Sequence, residues 1–121
     1  MDITGPAKVL RVYIGESDKW HGKPLSTALL LRLREEGVAG ATVLRATEGF
    51  GANSRIHTAH VLRLSQDLPI IVEVVDRADR IERVLPIVDE MVGDGLVTLA
   101  DVEVVHYRAN SRLPNDTAPP P

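Results

Sequence analysis

The sequence predicts one small α/β (α+β) domain in which strands and helices follow in the order βαββαβ. Apolar residues recur at every second position in several segments and at helical spacing in two others. The length of 121 residues suits a single domain. This order of elements is typical of a four-stranded antiparallel sheet with both helices on one face.

The first half of the chain predicts strand, helix and strand. Alternating apolar residues indicate a strand over 8–15, and a polar, glycine-containing loop follows it. Pro24 suits the first helical turn, and Gly37 suits a left-handed C-cap. The β-branched segment 42–47 predicts the second strand.

The second half repeats the pattern. The apolar run 70–75 predicts a strand, and Asp76 is placed to cap the helix that follows. Pro86 is expected to bend that helix, and the glycines at 93–95 to end it before a last strand in 97–108. The apolar stripe of this helix consists of Ile81, Val84, Leu85, Val88, Met91 and Val92.

The predicted domain covers 7–108 and has a tail at each end. Residues 1–6 show no periodicity, which predicts a flexible N-terminal tail, and 109–121 are polar and Pro-rich, which predicts disorder. The connection 48–68 has weak periodicity, and connections of that length are usually functional or mobile. Within it we expect 52–60 to be mobile.

Composition restricts the classes of function. A net charge of -3 and an aromatic content of 3% argue against nucleic-acid binding, which favours basic patches and stacking rings. The absence of cysteine excludes disulfides and thiolate chemistry. The sequence has neither a recognisable signal peptide nor an apolar run long enough to span a membrane, so we expect a cytoplasmic protein without membrane insertion.

Both faces of the predicted sheet are apolar. In 70–75 apolar residues fall on both faces, and in 8–15 Val9 and Tyr13 oppose Leu10 and its neighbours. Two helices on one face would leave the other in water, which monomers avoid. This pattern predicts an oligomer; the alternative is that the long connection folds over the bare face.

Several short motifs resemble those of the PII signalling proteins. They are GVAGATV at 37–43, EGFG at 48–51, where PII proteins open their mobile T-loop, and GDG at 93–95, which resembles the PII B-loop. A closer resemblance is to the PII-like family known as domain of unknown function 190. It rests on VYIGE at 12–16, GATVLR at 40–45, GFG at 49–51, LSQDLP at 64–69 and GLVT at 95–98.

The resemblance implies a ferredoxin-like subunit in a homotrimer. It further implies a regulatory protein that binds an adenine nucleotide in clefts between subunits and controls a partner protein through a mobile loop. Leu96 stands where PII proteins carry a basic residue after the B-loop, and Asn53 near their magnesium-associated glutamine. These departures favour AMP, ADP or cyclic di-AMP over ATP with magnesium.

Two glycine-containing turns are candidate ligand sites. Gly93, Asp94 and Gly95 would present backbone N–H groups to a phosphate if the glycines adopt positive φ angles, or they form a plain helix C-cap. The turn of Gly49, Phe50 and Gly51 permits a close approach to a ligand, with Phe50 either stacking on a base or anchoring the loop.

Cationic candidates are Arg45, Arg55 and Arg108. Arg45 has apolar neighbours in its strand, and a buried arginine needs an anionic partner. Such a partner is Glu48, Glu16, Glu103 or a ligand phosphate. The candidate ligand-binding set is Arg45, Glu48, Gly49, Phe50, Gly51, Arg55, Gly93, Asp94, Gly95 and Arg108.

No motif points to catalysis or to a metal. His57 and His60 have helical metal spacing, but no further ligands accompany them, so no metal site is assigned. The sequence contains no recognisable triad, Walker loop or paired carboxylates, so we do not expect an enzyme. Two alternatives to a nucleotide sensor remain: a ligand-free oligomeric adaptor docking on a membrane transporter, and an enzyme acting on a small metabolite.

Overall fold

A computed structural model of the chain describes residues 3–51 and 67–109. Its elements follow the predicted order, with one additional hairpin after the first strand. They are β1 (Gly5–Gly15), β2 (Lys19–Trp20), β3 (Lys23–Pro24), α1 (Leu25–Glu35), β4 (Thr42–Arg45), β5 (Pro69–Asp76), α2 (Ala78–Met91) and β6 (Leu96–Val104).

Four of the strands form one antiparallel sheet in the order β4-β5-β1-β6. At its centre, Val12 of β1 pairs with Val72 of β5 and Val97 of β6. This topology confirms the predicted fold: a four-stranded antiparallel sheet with two helices. Because β1 and β5 are central, their helix-facing residues are buried from both sides.

The core lies between the helices and the two central strands. Leu10 and Val12 from β1 and Val72 from β5 are fully buried, and they meet Leu29 of α1 and Ile81 of α2. Burying each such side chain contributes roughly 1.5–3 kcal/mol. The predicted stripe of α2 is confirmed, since four of its members are buried: Ile81, Val84, Val88 and Met91. The helix continues through Pro86.

Asp76 joins the two helices at one end of the sheet. Its side chain is fully buried and accepts hydrogen bonds from the backbone N–H groups of Ala39 (2.8 Å) and Arg77 (2.7 Å) and from Arg80 (3.2 Å). The N-cap of α2 is Arg77 and no side chain caps it, so the prediction that Asp76 caps this helix is wrong. Asp76 lies one residue earlier and, through Ala39, anchors the turn after α1. Gly37 in that turn has a φ of 85°, which confirms the predicted left-handed conformation.

The helix-free face of the sheet is apolar with one ion pair in it. Arg11 and Glu73 face each other across β1 and β5, joined at 2.7 Å. In the next row toward the strand ends, Tyr13 and Ile71 are half-buried. All four residues of β4 are exposed. The helices therefore leave this face and edge strand β4 uncovered, although Ala7 and Val9, toward the start of β1 on the same face, are buried.

The structure differs from the predicted elements in three places. β1 begins at Gly5, and Ile3, within the predicted tail, is buried. The expected loop after β1 contains the β2–β3 hairpin, where His21 has a φ of 49° and its ring stacks on Trp20. β6 ends at Val104, four residues before the predicted limit. The predictions for 52–60 and for 110–121 lie outside the described residues.

Candidate functional site

A cavity of about 440 Å³ opens where β1 ends and β5 and β6 begin, and we call it the strand-end cavity. Its size is typical of sites for small ligands. Tyr13, Ile71 and Leu96 from the helix-free face form an apolar wall. The remaining lining residues are Ile14, Gly15, Asp18, Ala46, Glu48, Gly49, Phe50, Gly51, Asp67, Pro69, Asp94 and Gly95.

Hydrogen bonds join the three chain segments that form the base of this cavity. The backbone N–H of Glu16 donates to the Leu68 carbonyl at 2.9 Å, and that of Ala46 to the Pro69 carbonyl at 3.0 Å. The Asp67 carboxylate accepts both the backbone N–H and the hydroxyl of Ser17 at 2.9 Å. These bonds fix the position from which the 48–68 connection leaves and returns to the sheet.

Six of the ten predicted ligand-binding residues line the strand-end cavity. They are Glu48, Gly49, Phe50, Gly51, Asp94 and Gly95. They come from the connection after β4 and from the turn before β6, which meet because the two strand ends lie at the same end of the sheet. Phe50 is 66% exposed, so its ring does not anchor the loop to the core, which was one of its two predicted roles.

The conformation of the 93–95 turn differs from the prediction. Gly93 and Gly95 are not among the residues with positive φ, so the expected ring of inward N–H groups is not formed. Gly95 is required for packing instead, because a Cβ atom there would lie 2.7 Å from the Tyr13 carbonyl oxygen. Gly49 does have a positive φ, of 149°.

Arg45 is exposed rather than buried, which corrects the expectation that its apolar neighbours enclose it. Its side chain is 64% exposed and forms an ion pair with Glu16, one of the three acidic partners considered. The physical reason is that the helices pack mainly on the central strands, so edge strand β4 has no cover. Glu48 and Glu103 form no ion pair among the described residues.

The charge of the cavity wall is negative. Asp18, Glu48, Asp67 and Asp94 are carboxylates, and no lysine, arginine or histidine belongs to the described lining. Two unit negative charges about 5 Å apart repel by about 3 kcal/mol at an effective dielectric constant of about 20. This wall therefore does not bind a phosphate group unless cations reach the cavity from elsewhere.

The remaining predicted residues are not part of the described lining of this cavity. Gly93 is outside the lining, and Arg55 lies outside the described residues. Arg108 follows β6, whose other end is at the cavity, so the length of that strand alone separates them by about 26 Å. Close to the far end of β6, Tyr107 lines a second cavity of about 370 Å³ on the helix-free face.

Sequence reasoning did not find Asp18, Ser17 and Asp67 as parts of the site. Asp18 Oδ2 accepts the Gly15 N–H at 2.9 Å, and the Asp18 carbonyl accepts the N–H of Leu25 at 2.8 Å. The available signals were weak: Glu16 and Asp18 flank a loop, where carboxylates are usually solvated, and Asp67 lies in the LSQDLP motif.

The described residues contain neither a metal site nor a membrane-spanning helix. No group of three or more His, Asp or Glu side chains is placed to hold a metal ion in residues 3–51 and 67–109. Neither described helix is long and apolar enough to cross a bilayer. His57 and His60 lie outside these residues.

Comparisons with known sequences identify relatives over most of the chain. The family DUF190, described as "Uncharacterized ACR", matches residues 7–104. A UPF0166 protein of Aquifex aeolicus (strain VF5) is 40% identical over 101 residues, which are 82% of this chain and 93% of that protein.

Comparisons of the fold identify solved structures of PII-like proteins. A PII-like signaling protein of Thermus thermophilus superposes with a TM-score of 0.59 at 19% identity, covering 87% of this chain and 94% of that one. CPII of Thiomonas intermedia K12, bound to ADP and bicarbonate, gives 0.57 at 21% identity, with coverages of 84% and 90%. CPII has also been solved with ADP, AMP and acetate.

Proposed function

We propose that this chain is a cytoplasmic regulator that senses an adenine nucleotide. The chain belongs to the DUF190 family and has the fold of PII-like proteins. The observation that carries this proposal is the strand-end cavity, which brings six predicted ligand-binding residues together at a size suited to a nucleotide. The ADP and AMP in the CPII structures support the choice of ligand.

The proposed site is completed by a second copy of the chain in a homotrimer. The strand-end cavity opens beside the helix-free face, where Leu44 and Leu96 are 47% and 55% exposed. A neighbouring copy packed there would cover this apolar surface and wall the cavity. It would also bring cations that the described wall lacks, and we propose Arg108 of that copy, together with Arg55, as the groups that bind phosphate.

The proposed output is control of a partner protein, such as a membrane transporter, through the 48–68 connection. Both ends of this connection are fixed at the cavity by Ala46, Leu68 and Asp67. A ligand shifts a conformational equilibrium only if it binds the two states with different affinity. Contact of the ligand with Gly49, Phe50 and Gly51, at the start of the connection, supplies that difference.

Ligand binding is tested by thermal unfolding and calorimetry with AMP, ADP, ATP and cyclic di-AMP. A ligand that binds only the folded protein raises the unfolding temperature, by an amount set by its concentration relative to Kd. We expect AMP, ADP or cyclic di-AMP to bind more tightly than ATP with magnesium. Arg108→Ala should weaken binding about tenfold or more, whereas Arg34→Ala, an exposed arginine away from the cavity, should not.

Two results would overturn this proposal. If none of the four nucleotides binds at millimolar concentration, the ligand-free adaptor becomes the better account of the apolar face. If a bound nucleotide is turned over in the same assay, the chain is an enzyme, a role that the proposal does not give it.

Assembly is tested by light scattering on two matched leucine variants. Leu44 on edge strand β4 and Leu31 on α1 are exposed to nearly the same extent, 47% and 48%. We expect a trimer that Leu44→Glu dissociates and Leu31→Glu leaves intact, since only Leu44 lies on the sheet. A parent protein that is a monomer at micromolar concentration contradicts the proposed assembly.

A further inference from the structure

The strand-end cavity has two kinds of surface, which suit different parts of a nucleotide. One is the apolar wall of Tyr13, Ile71 and Leu96, on which a flat base can pack. The other is a set of carboxylates, of which Asp18 is half-buried at the floor of the cavity. A carboxylate accepts hydrogen bonds from hydroxyl and amino groups but repels phosphate.

Asp18 is held in a fixed orientation by its own turn. Its Oδ2 atom accepts the Gly15 N–H at 2.9 Å, and its backbone joins the end of β1 to the start of α1 through Gly15 and Leu25. Its other carboxylate oxygen makes no hydrogen bond to residues 3–51 or 67–109. A side chain fixed by one bond and retaining acceptor capacity is preorganised to bind a ligand donor.

We infer, on the basis of the proposed nucleotide site, that this wall binds the nucleoside half of the ligand, with the Asp18 carboxylate accepting a hydrogen bond from a ribose hydroxyl and the phosphates directed away from it. The apolar wall then contacts the base. The phosphates extend out of the acidic wall toward the cations of the neighbouring copy. This orientation makes Asp18 the residue that distinguishes a ribonucleotide from an analogue without ribose hydroxyls.

The conformation of the 93–95 turn supports this orientation. Its glycines lack the positive φ values that would direct backbone N–H groups toward a phosphate. The turn instead contributes the exposed carboxylate of Asp94 to the cavity. A phosphate placed beside it would be repelled by Asp94 and would gain no backbone donors from a nest.

The sign of the effect of Asp18→Asn tests the inference. Asparagine keeps an acceptor for Gly15 but removes the charge. If Asp18 binds a ribose hydroxyl, calorimetry should show adenosine, AMP and ADP losing affinity by a similar factor of about ten. If the phosphates face Asp18, the variant should instead bind AMP and ADP more tightly than the parent protein, with the larger gain for ADP, and the inference falls.

A matched control and a second ligand pair separate this result from a loss of folding. Asp89→Asn removes an exposed carboxylate of α2 outside the cavity and should change none of the three affinities. On the parent protein, 2′,3′-dideoxy-AMP should bind about tenfold or more weakly than AMP. Equal affinities of these two nucleotides would overturn the inference even if Asp18→Asn fails to fold.

Failure of the proposed function has a different appearance. In that case the parent protein binds neither adenosine nor any adenine nucleotide at millimolar concentration, and both proposals fall together. If the parent binds AMP but the Asp18→Asn or dideoxy result goes the other way, the nucleotide sensor stands and only its orientation of the ligand is wrong.

Discussion

The two ends of the sheet use carboxylates in opposite ways. At one end Asp76 is fully buried and accepts hydrogen bonds from Ala39, Arg77 and Arg80. At the other end Asp18 accepts one bond from Gly15, and the exposed carboxylate of Asp94 borders the strand-end cavity. A buried charge is tolerated only when its acceptors are satisfied, so Asp76 has a structural role.

The comparison shows how one residue type is assigned to stability or to binding. The number of fixed donors around a carboxylate, together with its burial, decides between the two roles. At the Asp76 end every donor comes from the chain itself. At the cavity end Asp18 retains acceptor capacity and the described part of the wall lacks cations, which is the state expected of a surface that a ligand completes.

Asp76→Ala should have the largest effect. It leaves the Ala39 and Arg77 N–H groups and the Arg80 guanidinium without their acceptor, and removing one partner of a buried pair costs about 3 kcal/mol or more. Denaturant unfolding should show a lower midpoint with an unchanged slope. Asp101→Ala, whose exposed carboxylate pairs with Lys8, should leave the midpoint nearly unchanged. Equal effects of the two variants would show that burial does not separate these carboxylates.

The core and the topology could be predicted because the alternation and the helical spacing of apolar residues indicate directly which residues are buried. Leu10, Val12 and Ile81 occupy the positions that their periodicity predicts. Periodicity does not indicate whether the helices are wide enough to cover the edge strands of the sheet. For that reason the exposure of Arg45 on the uncovered strand β4 was not anticipated.

The cavity was predicted only in part, because its floor joins residues distant in sequence. Ser17 and Asp67 are 50 positions apart, and each stands in a polar segment where side chains are usually solvated. The β2–β3 hairpin was missed for a related reason: strands of two residues, such as Lys19–Trp20, have no alternation to detect.

Gly95→Ala should have the next largest effect, and it tests whether the cavity end also contains residues needed for stability. A Cβ atom at Gly95 would lie 2.7 Å from the backbone oxygen of Tyr13, so β6 must shift. We expect a loss of about 1–3 kcal/mol in the free energy of unfolding. Gly93→Ala is the control, since its Cβ would meet nothing within 4 Å and its φ is not positive.

This glycine pair also shows whether a change in nucleotide affinity comes from packing or from contact with the ligand. A loss of nucleotide affinity in a Gly95 variant that is also less stable reports packing against Tyr13 rather than contact with the ligand. Gly93→Ala should be neutral or slightly stabilising, because alanine restricts the unfolded chain. If both variants unfold at the same denaturant concentration as the parent protein, the close approach of Gly95 to Tyr13 does not affect the free energy of unfolding.

Ser17→Ala should have a smaller, local effect. It removes the hydroxyl donor to Asp67 and leaves the Ser17 backbone N–H in place, at a cost of at most about 1 kcal/mol. Hydrogen exchange should become faster at the amides of Ser17 and Glu16. Ser26→Ala, whose hydroxyl makes no hydrogen bond among the described residues, is the control. Unchanged exchange in Ser17→Ala would mean that the backbone bonds alone fix the cavity base.

Asp79 gives the smallest effect and separates partnering from burial. It lies at the Asp76 end in the first turn of α2, exposed to water, and its hydrogen bond with Arg77 lowers the pKa of its carboxyl from 3.8 to about 2. A lowered pKa means that the folded state favours the ionised form. The associated stabilisation is therefore present above about pH 4 and is lost as the pH falls toward 2.

An NMR titration should place the Asp79 midpoint near 2 in the parent protein and nearer 3.8 in Arg77→Gln. The two proteins should differ only slightly in unfolding temperature at pH 7, because water screens this exposed pair, and that small difference should vanish in acid. A large difference at pH 7 would show that partnering alone, without the burial that surrounds Asp76, is enough to make a carboxylate structural.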